Sequence, residues 1–515
     1  MDIVWVGVAF IFGIIVSKIH IPPLVGYLVA GITLGAFGYE GGSVLKEISH
    51  LGVVFLLFTV GLHIKIKNIL TMEVLGTGLI HLFISTLIYI PIILFIGLGL
   101  EAAIIISIIL GFSSTVLTAK KLESRGEMGA YYGRVAIGIL ILQDLVAIGI
   151  IAYAGGGVPS YWAVVLLGLP LLRPLLSKLL RMLDRDELML LMALALAIGG
   201  EALFLQFNVS GELGALAMGM LLANDEKGEQ LEKKIWGIKE AFLVGFFLQI
   251  GLTGLPDTSA WTVIGFFTLI LPVKAALFFA LFMVFKLRAR TAYQATISLT
   301  AYSEFTLIAG AVASSMGLIP EEWILLLAIL TAISYIANSI LVKNEDKIWE
   351  KMNDFLVKFQ RGGRTPDKQL STLGASEYLV IGMGMSGTAA YDYLKENGFQ
   401  VAAMDINPDR ISRHIEEGRR IVYGDAQDIG LWEKLDTSKI KSILIAMSTG
   451  IDLKIHVINM LKECEFKKEI FILAMNEREE AVINHAGGIP VMIPAKEIGR
   501  HMGVLSTEAD KSDKN

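Results

Sequence analysis

The stretch ILILQDLVAIGI, residues 139–150, decides the fold class, because it places one carboxylate in the middle of an apolar run. Asp144 follows Gln143, and every other residue of the stretch is aliphatic or glycine. The apolar segment around it, near 134–154, has the length of about 20 residues with which a helix crosses the hydrocarbon core of a bilayer. Charges at mid-span are costly and usually functional. The stretch therefore predicts a membrane-spanning helix with a functional carboxylate.

The same length criterion predicts thirteen spans before residue 343. Of the 515 residues, 54% are hydrophobic and only 18% are charged, whereas soluble proteins carry about 25% charged residues. The deficit of charge is concentrated before residue 343, and beyond it charges recur every few positions. The sequence thus predicts a transmembrane domain over 1–343 and a water-exposed region after it. The candidate spans lie near 2–17, 22–37, 50–63, 73–98, 102–119, 134–154, 160–172, 187–206, 211–224, 237–253, 260–285, 291–315 and 321–342.

The loops between these spans alternate in their content of Lys and Arg, which prefer cytoplasmic loops. With the N-terminus outside, the outside loops hold only Lys46. Because the alternation survives all thirteen spans, it predicts an integral plasma (inner) membrane protein with a cytoplasmic C-terminal domain. The inside cations are Lys18, Lys65, Lys67, Lys120, Lys121, Arg125, Arg134, Arg173, Lys178, Arg181, Arg185, Lys227, Lys233, Lys234, Lys286, Arg288 and Arg290.

A faint internal repeat relates the two halves of the transmembrane domain. Two patterns of Gly and Leu recur at an offset of 188 to 190 residues and seven spans. Seven is odd, so the second copy would be inverted, as is typical of secondary transporters, whose sites lie at the repeat interface. Chance similarity among helices rich in Gly and Leu is the alternative. The matches are Gly26, Leu28, Gly31 and Leu34 with Gly214, Leu216, Gly219 and Leu222, and Gly61-Leu62 with Gly251-Leu252.

Two further charges lie at mid-span, Lys274 and Glu304. A structural ion pair among the three charges is one interpretation. The polar run at 113–115 offers another, because Glu304 lies 189 residues after Thr115 and so occupies the repeat-equivalent position. Two symmetry-related polar runs predict two broken helices, whose carbonyls and half-helix dipoles can coordinate ions. The alternative is an unbroken helix in which Ser and Thr bond back to the previous turn.

Asp144 has the chemistry of an exchange site. A carboxylate that water can reach binds either a proton or a dehydrated cation, and competition between the two is exchange. Gln143 would add a neutral oxygen ligand, which hard cations prefer. The sequence therefore predicts a monovalent cation:proton antiporter without a further metal site, and its ligand types alone do not choose K⁺ over Na⁺.

The segments QDL (143–145), SST (113–115), SEF (303–305) and GALAMGMLLA (214–223), together with Lys274, resemble the Kef-type potassium:proton antiporters. These belong to the second monovalent cation:proton antiporter family, and the resemblance covers essentially the whole chain. It implies an α-helical polytopic membrane fold of about thirteen spans with inverted repeats and crossed broken helices. It also implies a homodimer in membrane lipid that mediates K⁺ efflux in exchange for protons.

The same resemblance implies roles for individual residues. Asp144 would carry the ion and the proton, with Gln143, Ser114 and Thr115 nearby. Lys274 and Glu304 would give electrostatic support at the crossing of the broken helices. Two departures stand out: the family often has Gly where this chain has Ser303, and Glu where it has His63.

The stretch EYLVIGMGMSGTAAYDYLKENGFQVAAMDINPDR, residues 377–410, is typical of strand, tight turn, helix and strand. Gly382, Gly384 and Gly387 form a GxGxxG pattern after the first strand, and Asp405 ends the second, which together give a strong dinucleotide fingerprint. The glycines admit a phosphate at a helix N-terminus. Asp405 favours NAD(H) or an adenine mononucleotide such as AMP or ADP over NADP.

Three more predicted strands, within 421–428, 443–448 and 470–475, complete a Rossmann-like α/β regulatory domain over 373–505. An α/β domain with an empty site is the alternative. This region resembles the potassium-conductance regulator domain, also called the TrkA N-terminal domain, in which Asp425 would lie near the adenosine. The resemblance places Met385 and Ser386 in the nucleotide loop. Met385 replaces an Arg found in glutathione-controlled relatives, which argues against glutathione as a ligand.

Residues 344–372 form the predicted linker between the two domains. The apolar positions from Ile348 to Phe359 follow helical spacing among charges and predict an amphipathic helix against the membrane or a partner subunit, coupling the sensor to the last span. The RGGRTPDK stretch at 361–368 then breaks it, and 506–515 is a polar tail.

Other function classes fit less well. A nucleotide-gated K⁺ channel would need a carbonyl filter between few spans, and Val25-Gly26-Tyr27 gives only part of one. A membrane-bound oxidoreductase would need a substrate domain after the Rossmann-like unit, where only about ten polar residues follow. The net charge is -5 with no basic block, which disfavours nucleic acid, and the single Cys464 fits a reducing compartment. The sequence thus predicts a transporter and not an enzyme.

Overall fold

A computed structural model of the chain describes residues 4–504 apart from 19–20, 64–70, 126, 156–159, 224, 226, 255, 257, 361–372, 433–434, 448–449, 492–498 and 501. The RGGRTPDK stretch and the polar tail lie outside these residues. The chain divides into two compact units. The first is Met1–Thr118, Ala136–Phe285 and Thr296–Glu350, and the second is Ala119–Val135, Lys286–Ala295 and Lys351–Asn515.

Each predicted span coincides with a helix or with two half-helices. Among the described residues, seven helical segments are long and apolar enough to cross a membrane, and five shorter apolar helices accompany them. The number of crossings stays a prediction. In chain order the helices are α1 Val4–Lys18, α2 Pro23–Ala36, α3 Ser43–His63, α4 Met72–Phe95, α5 Leu100–Leu110, α6 Thr115–Arg125, α7 Tyr131–Gly155, a 3₁₀ helix Tyr161–Leu172, α8 Arg173–Arg181, α9 Asp186–Leu205, α10 Gly211–Leu222, α11 Gly228–Gly251, α12 Thr258–Val284, α13 Ala289–Leu299, α14 Phe305–Ser315, α15 Glu322–Lys343 and α16 Glu345–Leu356.

Helices α3 and α11 begin earlier than the apolar runs that predicted them. They start at Ser43 and Gly228, whereas the runs start near 50 and 237. The additional turns carry Lys46, Glu232 and similar residues, which form helices well but lower the local hydropathy. Hydropathy therefore detects the part of a helix that suits lipid and misses the part that suits water.

The predicted helix breaks are confirmed. One span divides into α5 and α6 around 111–114, and another divides into α13 and α14 around 300–304. The two breaks pair with each other through an antiparallel bridge between Ser113 and Tyr302, and Ser114 N donates to Ala301 O at 3.1 Å. The unbroken-helix alternative is therefore wrong for both segments. Tyr302 lies 189 residues after Ser113, so the bridge joins repeat-equivalent residues.

Reciprocal glycine contacts support the internal repeat. A Cβ added at Gly31 of α2 would lie 2.3 Å from the carbonyl oxygen of Leu248 in α11. One added at Gly219 of α10 would lie 2.1 Å from the carbonyl oxygen of Phe58 in α3. Helix α2 of the first repeat thus packs against α11 of the second, and α10 of the second packs against α3 of the first. Only glycine allows these backbones to approach so closely.

The second unit contains a six-stranded parallel sheet in the order β3-β2-β1-β4-β5-β6. This order confirms the Rossmann-like prediction, and the sequence pattern missed only the short sixth strand. The strands are β1 Tyr378–Ile381, β2 Val401–Asp405, β3 Ile421–Tyr423, β4 Ser442–Ile445, β5 Glu469–Leu473 and β6 Ile489–Val491, and the helices between them are α17 Met385–Glu396, α18 Pro408–Glu416, α19 Ile429–Trp432, α20 Ile451–Glu463 and α21 Glu477–His485.

Both faces of the sheet are covered, as parallel sheets require. In β1, Leu379 and Ile381 belong to one buried cluster and Val380 to another. The near-continuous apolar run of this strand follows from burial on both sides. The strand ends at the glycine-rich turn, at the carboxyl end of the sheet and beside β4.

We expect Gly31→Ala to destabilise the first unit by about 1–3 kcal/mol, because its methyl group would overlap the backbone of α11. Gly265→Ala is the matched control, since a Cβ at Gly265 of α12 meets nothing within 4 Å. Thermal unfolding of the full chain in detergent measures both. Equal melting temperatures for the two variants would contradict the close-approach argument.

Candidate ion site and nucleotide site

The break between α5 and α6 is held by Gln143 of α7. The Gln143 side chain is fully buried, its Oε1 accepts from Ser113 N at 2.8 Å, and its Nε2 donates to Gly111 O at 3.3 Å. The amide therefore hydrogen-bonds two backbone groups that have no partner within the helix because the helix is broken there. The structure shows this supporting contact, and the use of its oxygen as a cation ligand stays a prediction.

Asp144, the next residue of α7, faces the N-terminal end of α6. Its carboxylate is 4% exposed, and Oδ2 accepts from the Thr115 hydroxyl at 3.4 Å. The first backbone N–H groups of a helix and its dipole favour a negative charge at this position. The structure thus places Thr115 beside Asp144, and the binding of an ion and a proton there stays a prediction.

Ser114 lies at the same break but contacts the other carboxylate. Its hydroxyl donates to Glu304 Oε2 at 3.2 Å, and the Tyr335 hydroxyl of α15 donates to the same oxygen at 3.0 Å. Glu304 immediately precedes α14 and is buried. The two buried carboxylates therefore have different surroundings: Glu304 accepts from two hydroxyl groups, whereas among the described residues Asp144 accepts one long hydrogen bond, from Thr115.

Lys274 of α12 contacts the backbone of the first break. Its Nζ donates to Phe112 O at 2.6 Å and lies 4.8 Å from the centre of the Tyr302 ring. Within the part of the chain that the structure describes, no ion pair joins Lys274 to Asp144 or Glu304. The ammonium instead lies at the negative carbonyl end of α5, where a positive charge is stabilising.

Sequence reasoning missed several residues of this network. The Thr306 hydroxyl donates to Ile109 O at 2.8 Å and the Tyr302 amide donates to the Ser334 hydroxyl at 3.0 Å, so both breaks receive further side-chain support. Nothing in the sequence marks these hydroxyls or Tyr335 among many others in apolar spans. Glu201 of α9 did carry a signal, as a buried acid inside a predicted span, and it pairs with His50 at 3.0 Å.

The nucleotide fingerprint forms the turn between β1 and α17. Gly382 has φ +90°, which only glycine adopts easily, and a Cβ at Gly387 would lie 1.9 Å from Gly382 O. A Cβ at Gly384 would meet nothing within 4 Å, so this glycine faces open space. The three positions therefore fit the tight turn, the packing of helix on strand and the approach of a phosphate.

A cleft beside this turn collects the carboxyl ends of four strands. It is lined by Gly382 and Gly384 after β1, Asp405 at the end of β2, Asp425 after β3 and Met447 after β4. Such a position, at the switch in strand order, is where open α/β sheets bind ligands. Met385 and Ser386 are exposed and do not line the described cleft.

The two predicted acids of the cleft already have protein partners. Asp405 is 4% exposed; its Oδ2 accepts from Met383 N at 2.7 Å and from Arg410 Nη1 at 2.9 Å. The Asp425 carboxylate accepts from Gln294 Nε2 at 3.4 Å, and Arg290 Nε lies 3.8 Å away. Gln294 and Arg290 belong to α13, so this sheet edge contacts the start of a broken helix within the second unit.

Two further residues of the cleft come from the last position of α6 and from the segment before α7. Arg125 and Glu127 both line it. Gln427 Nε2 donates to Glu127 Oε1 at 3.0 Å, and the Tyr132 hydroxyl donates to Oε2. They precede the glycine turn by about 250 positions, so no local pattern in the sequence could assign them to the nucleotide cleft.

Comparisons with known proteins match both halves of the chain. A family model described as sodium/hydrogen exchanger, transmembrane, matches residues 6–343, and one described as TrkA-N domain matches residues 378–494. The curated relative YbaL of Escherichia coli (strain K12), provisionally named a cation/proton antiporter, is 25% identical over 527 residues, covering 96% of this chain and 94% of that protein.

Two solved structures are also similar to parts of the chain. The sodium proton antiporter MjNhaP1 from Methanocaldococcus jannaschii matches with a TM-score of 0.48 and 16% identity, over 70% of this chain and 97% of that one. The TrkA-N domain of the inner membrane protein ybaL from Escherichia coli matches with a TM-score of 0.24 and 20% identity, over 25% of this chain and 96% of that one.

We expect Lys274→Met to lower the melting temperature, because it removes a charge-assisted hydrogen bond of about 1.5–3 kcal/mol and leaves Phe112 O without its donor. Lys178→Met is the matched control, since Lys178 is an exposed helical lysine of α8. Thermal unfolding in detergent is measured beside transport. Lost transport at an unchanged melting temperature would show that Lys274 acts directly in transport and not as support.

Proposed function

The chain belongs to the sodium/hydrogen exchanger family, and we propose that it is a nucleotide-regulated antiporter that moves K⁺ out of the cell in exchange for protons. The family matches and the relative YbaL support the same coarse function: antiport of a cation and a proton by a chain that carries a TrkA-N domain. The observation that carries the proposal is the place of Asp144, a buried carboxylate facing the start of a half-helix.

Exchange follows from competition at the Asp144 carboxylate. A proton and a dehydrated cation each neutralise it, and neither can bind while the other is present. The N-terminal end of α6 stabilises the charged form during the transfer between them. Glu304 is held by Ser114 and Tyr335 and supports the crossing electrostatically, so the two carboxylates have separate roles.

Potassium is the proposed cation because of the resemblance to the Kef-type antiporters in the QDL, SST and SEF segments. Sodium is the second candidate, because the matching family model is described as a sodium/hydrogen exchanger. Dissipation of a pH gradient in proteoliposomes, driven in turn by K⁺, Na⁺ and Li⁺, separates the two. A response to Na⁺ and Li⁺ without K⁺ would replace the potassium assignment.

We expect Asp144→Asn to abolish cation-driven proton movement in the same assay, because the amide can neither release a proton nor neutralise a cation. Glu201→Gln is the matched control: it removes a buried carboxylate that pairs with His50 outside the crossing, and it should retain exchange. Unchanged melting temperatures establish that both variants fold. Residual exchange above half of the wild-type rate in Asp144→Asn would contradict the assignment.

Regulation by an adenine nucleotide, AMP, ADP or NAD(H), is the second part of the proposal. The three glycines are arranged for a phosphate, and Asp405 and Asp425 lie at the strand ends where a ribose and an adenosine would bind. A regulatory ligand must bind one transport state better than the other. Coupling of ~1–3 kcal/mol would change the transport rate about 5–150-fold.

We expect Asp405→Ala to weaken AMP and NAD(H) binding to the full chain by at least about tenfold, since it removes the ribose acceptor and the partner of the glycine turn. NADP should bind worse than NAD to the wild type, because its 2′-phosphate would meet the Asp405 carboxylate. Asp436→Ala, an exposed acid outside the cleft, is the control. Calorimetry measures all of these. Absence of nucleotide binding to the wild type, or turnover of NADH with an acceptor, would contradict the regulatory role.

A further inference from the structure

We infer that His414 is a positioning residue of the proposed nucleotide site, which fixes the glycine-rich turn in the form that accepts a phosphate. The inference rests on the proposed site and adds a residue that does not line the described cleft. His414 belongs to α18 and is 5% exposed, and its Nε2 lies 3.1 Å from Met383 O, inside the turn. The imidazole therefore acts on the backbone of the turn and not on the ligand.

The turn depends on side chains from outside it, because glycine restricts the backbone least. Met383 lies between the first two glycines of the GxGxxG pattern. Its N–H donates to Asp405 Oδ2 at 2.7 Å, and its carbonyl oxygen accepts from Thr388 Oγ1 at 3.4 Å and contacts His414. Asp405 is also the proposed ribose acceptor, so a bound nucleotide would compete for its oxygens. His414 has no such competitor, because it does not line the cleft, and it can hold the turn in the free and the bound protein.

Arg419 determines which ring nitrogen of His414 carries the hydrogen. Its Nη1 lies 3.0 Å from His414 Nδ1, and a guanidinium group can only donate. Nδ1 therefore accepts, and Nε2 carries the hydrogen that it donates to Met383 O. Asp392 of α17 accepts from Nε and Nη2 of Arg419 at 2.7 and 2.9 Å, and Glu417 also contacts Nη1. A fixed cation thus sets the donor to the turn, and two acids hold that cation in place.

The test compares AMP with adenosine, which lacks the phosphate, by calorimetry on the full chain. His414→Gln and His414→Asn form a matched pair, because the Gln amide can place a donor near the Nε2 position, whereas the shorter Asn amide ends near the Nδ1 position. We expect His414→Asn to weaken AMP binding about 3–10-fold, the equivalent of one lost hydrogen bond. His414→Gln should keep AMP affinity within about twofold of the wild type, and both variants should keep adenosine affinity within about twofold.

Arg419→Met gives a second test that leaves His414 in place. Without the guanidinium donor, Nδ1 can take the hydrogen, and Nε2 then has none to donate to Met383 O. AMP affinity should fall about threefold, and adenosine affinity should not. Asp392→Asn is the matched control, because it changes a partner of Arg419 and leaves the contact between Nη1 and His414, so it should retain wild-type AMP affinity.

Melting temperatures of the full chain in detergent establish which variants fold, and Arg419→Met alone decides if His414→Asn does not. Equal losses of AMP and adenosine affinity, or equal losses of AMP affinity in His414→Gln and His414→Asn, would show a structural role and overturn the inference. If the wild type binds neither compound, the proposed nucleotide site itself fails. If the wild type binds AMP and the folded variants bind it equally well, the site stands and only the positioning role fails.

Discussion

The constraint on which the first unit depends is the need to satisfy backbone groups where two helices are broken inside an apolar environment. Each break supplies partners to the other: Ser113 bridges Tyr302, and the Ser113 hydroxyl donates to Leu299 O at 2.7 Å. Gln143 and Lys274 complete the pairing from two other helices. Asp144 lies beside a half-helix that this network holds open, so the exchange chemistry proposed for it depends on how the backbone is satisfied.

The sequence predicts those parts of the structure that follow from local chemistry. Mid-span charges, clustered hydroxyls and the GxGxxG turn each violate a simple pattern, and each lies where the structure has a break, a buried acid or a tight turn. A hydrogen-bond partner on a distant helix leaves no such local pattern in the sequence. Tyr335 is one hydroxyl in an apolar span, and the acceptor for Lys274 is a backbone carbonyl that every residue possesses.

Local sequence patterns also do not predict where the chain divides into its two compact units. The sequence divides the chain at 343, where charge density changes, and this division remains a proposal. Contacts in the structure group 119–135 and 286–295 with the Rossmann-like region instead. Their polar residues Gln294 and Glu127 contact Asp425 and Gln427 in the segment that follows β3. Hydropathy records which residues suit lipid, and it does not record what they touch in water.

The pairing of Ser113 with Tyr302 also sets an order for biosynthesis. The partner of the first break lies 189 residues downstream, which a ribosome working at about 5–20 residues per second reaches only after roughly 10–40 s. Until then the nascent chain must satisfy the first break with temporary partners in the translocon or with water. The part of the molecule proposed to exchange ions is therefore assembled only once most of the chain has been made.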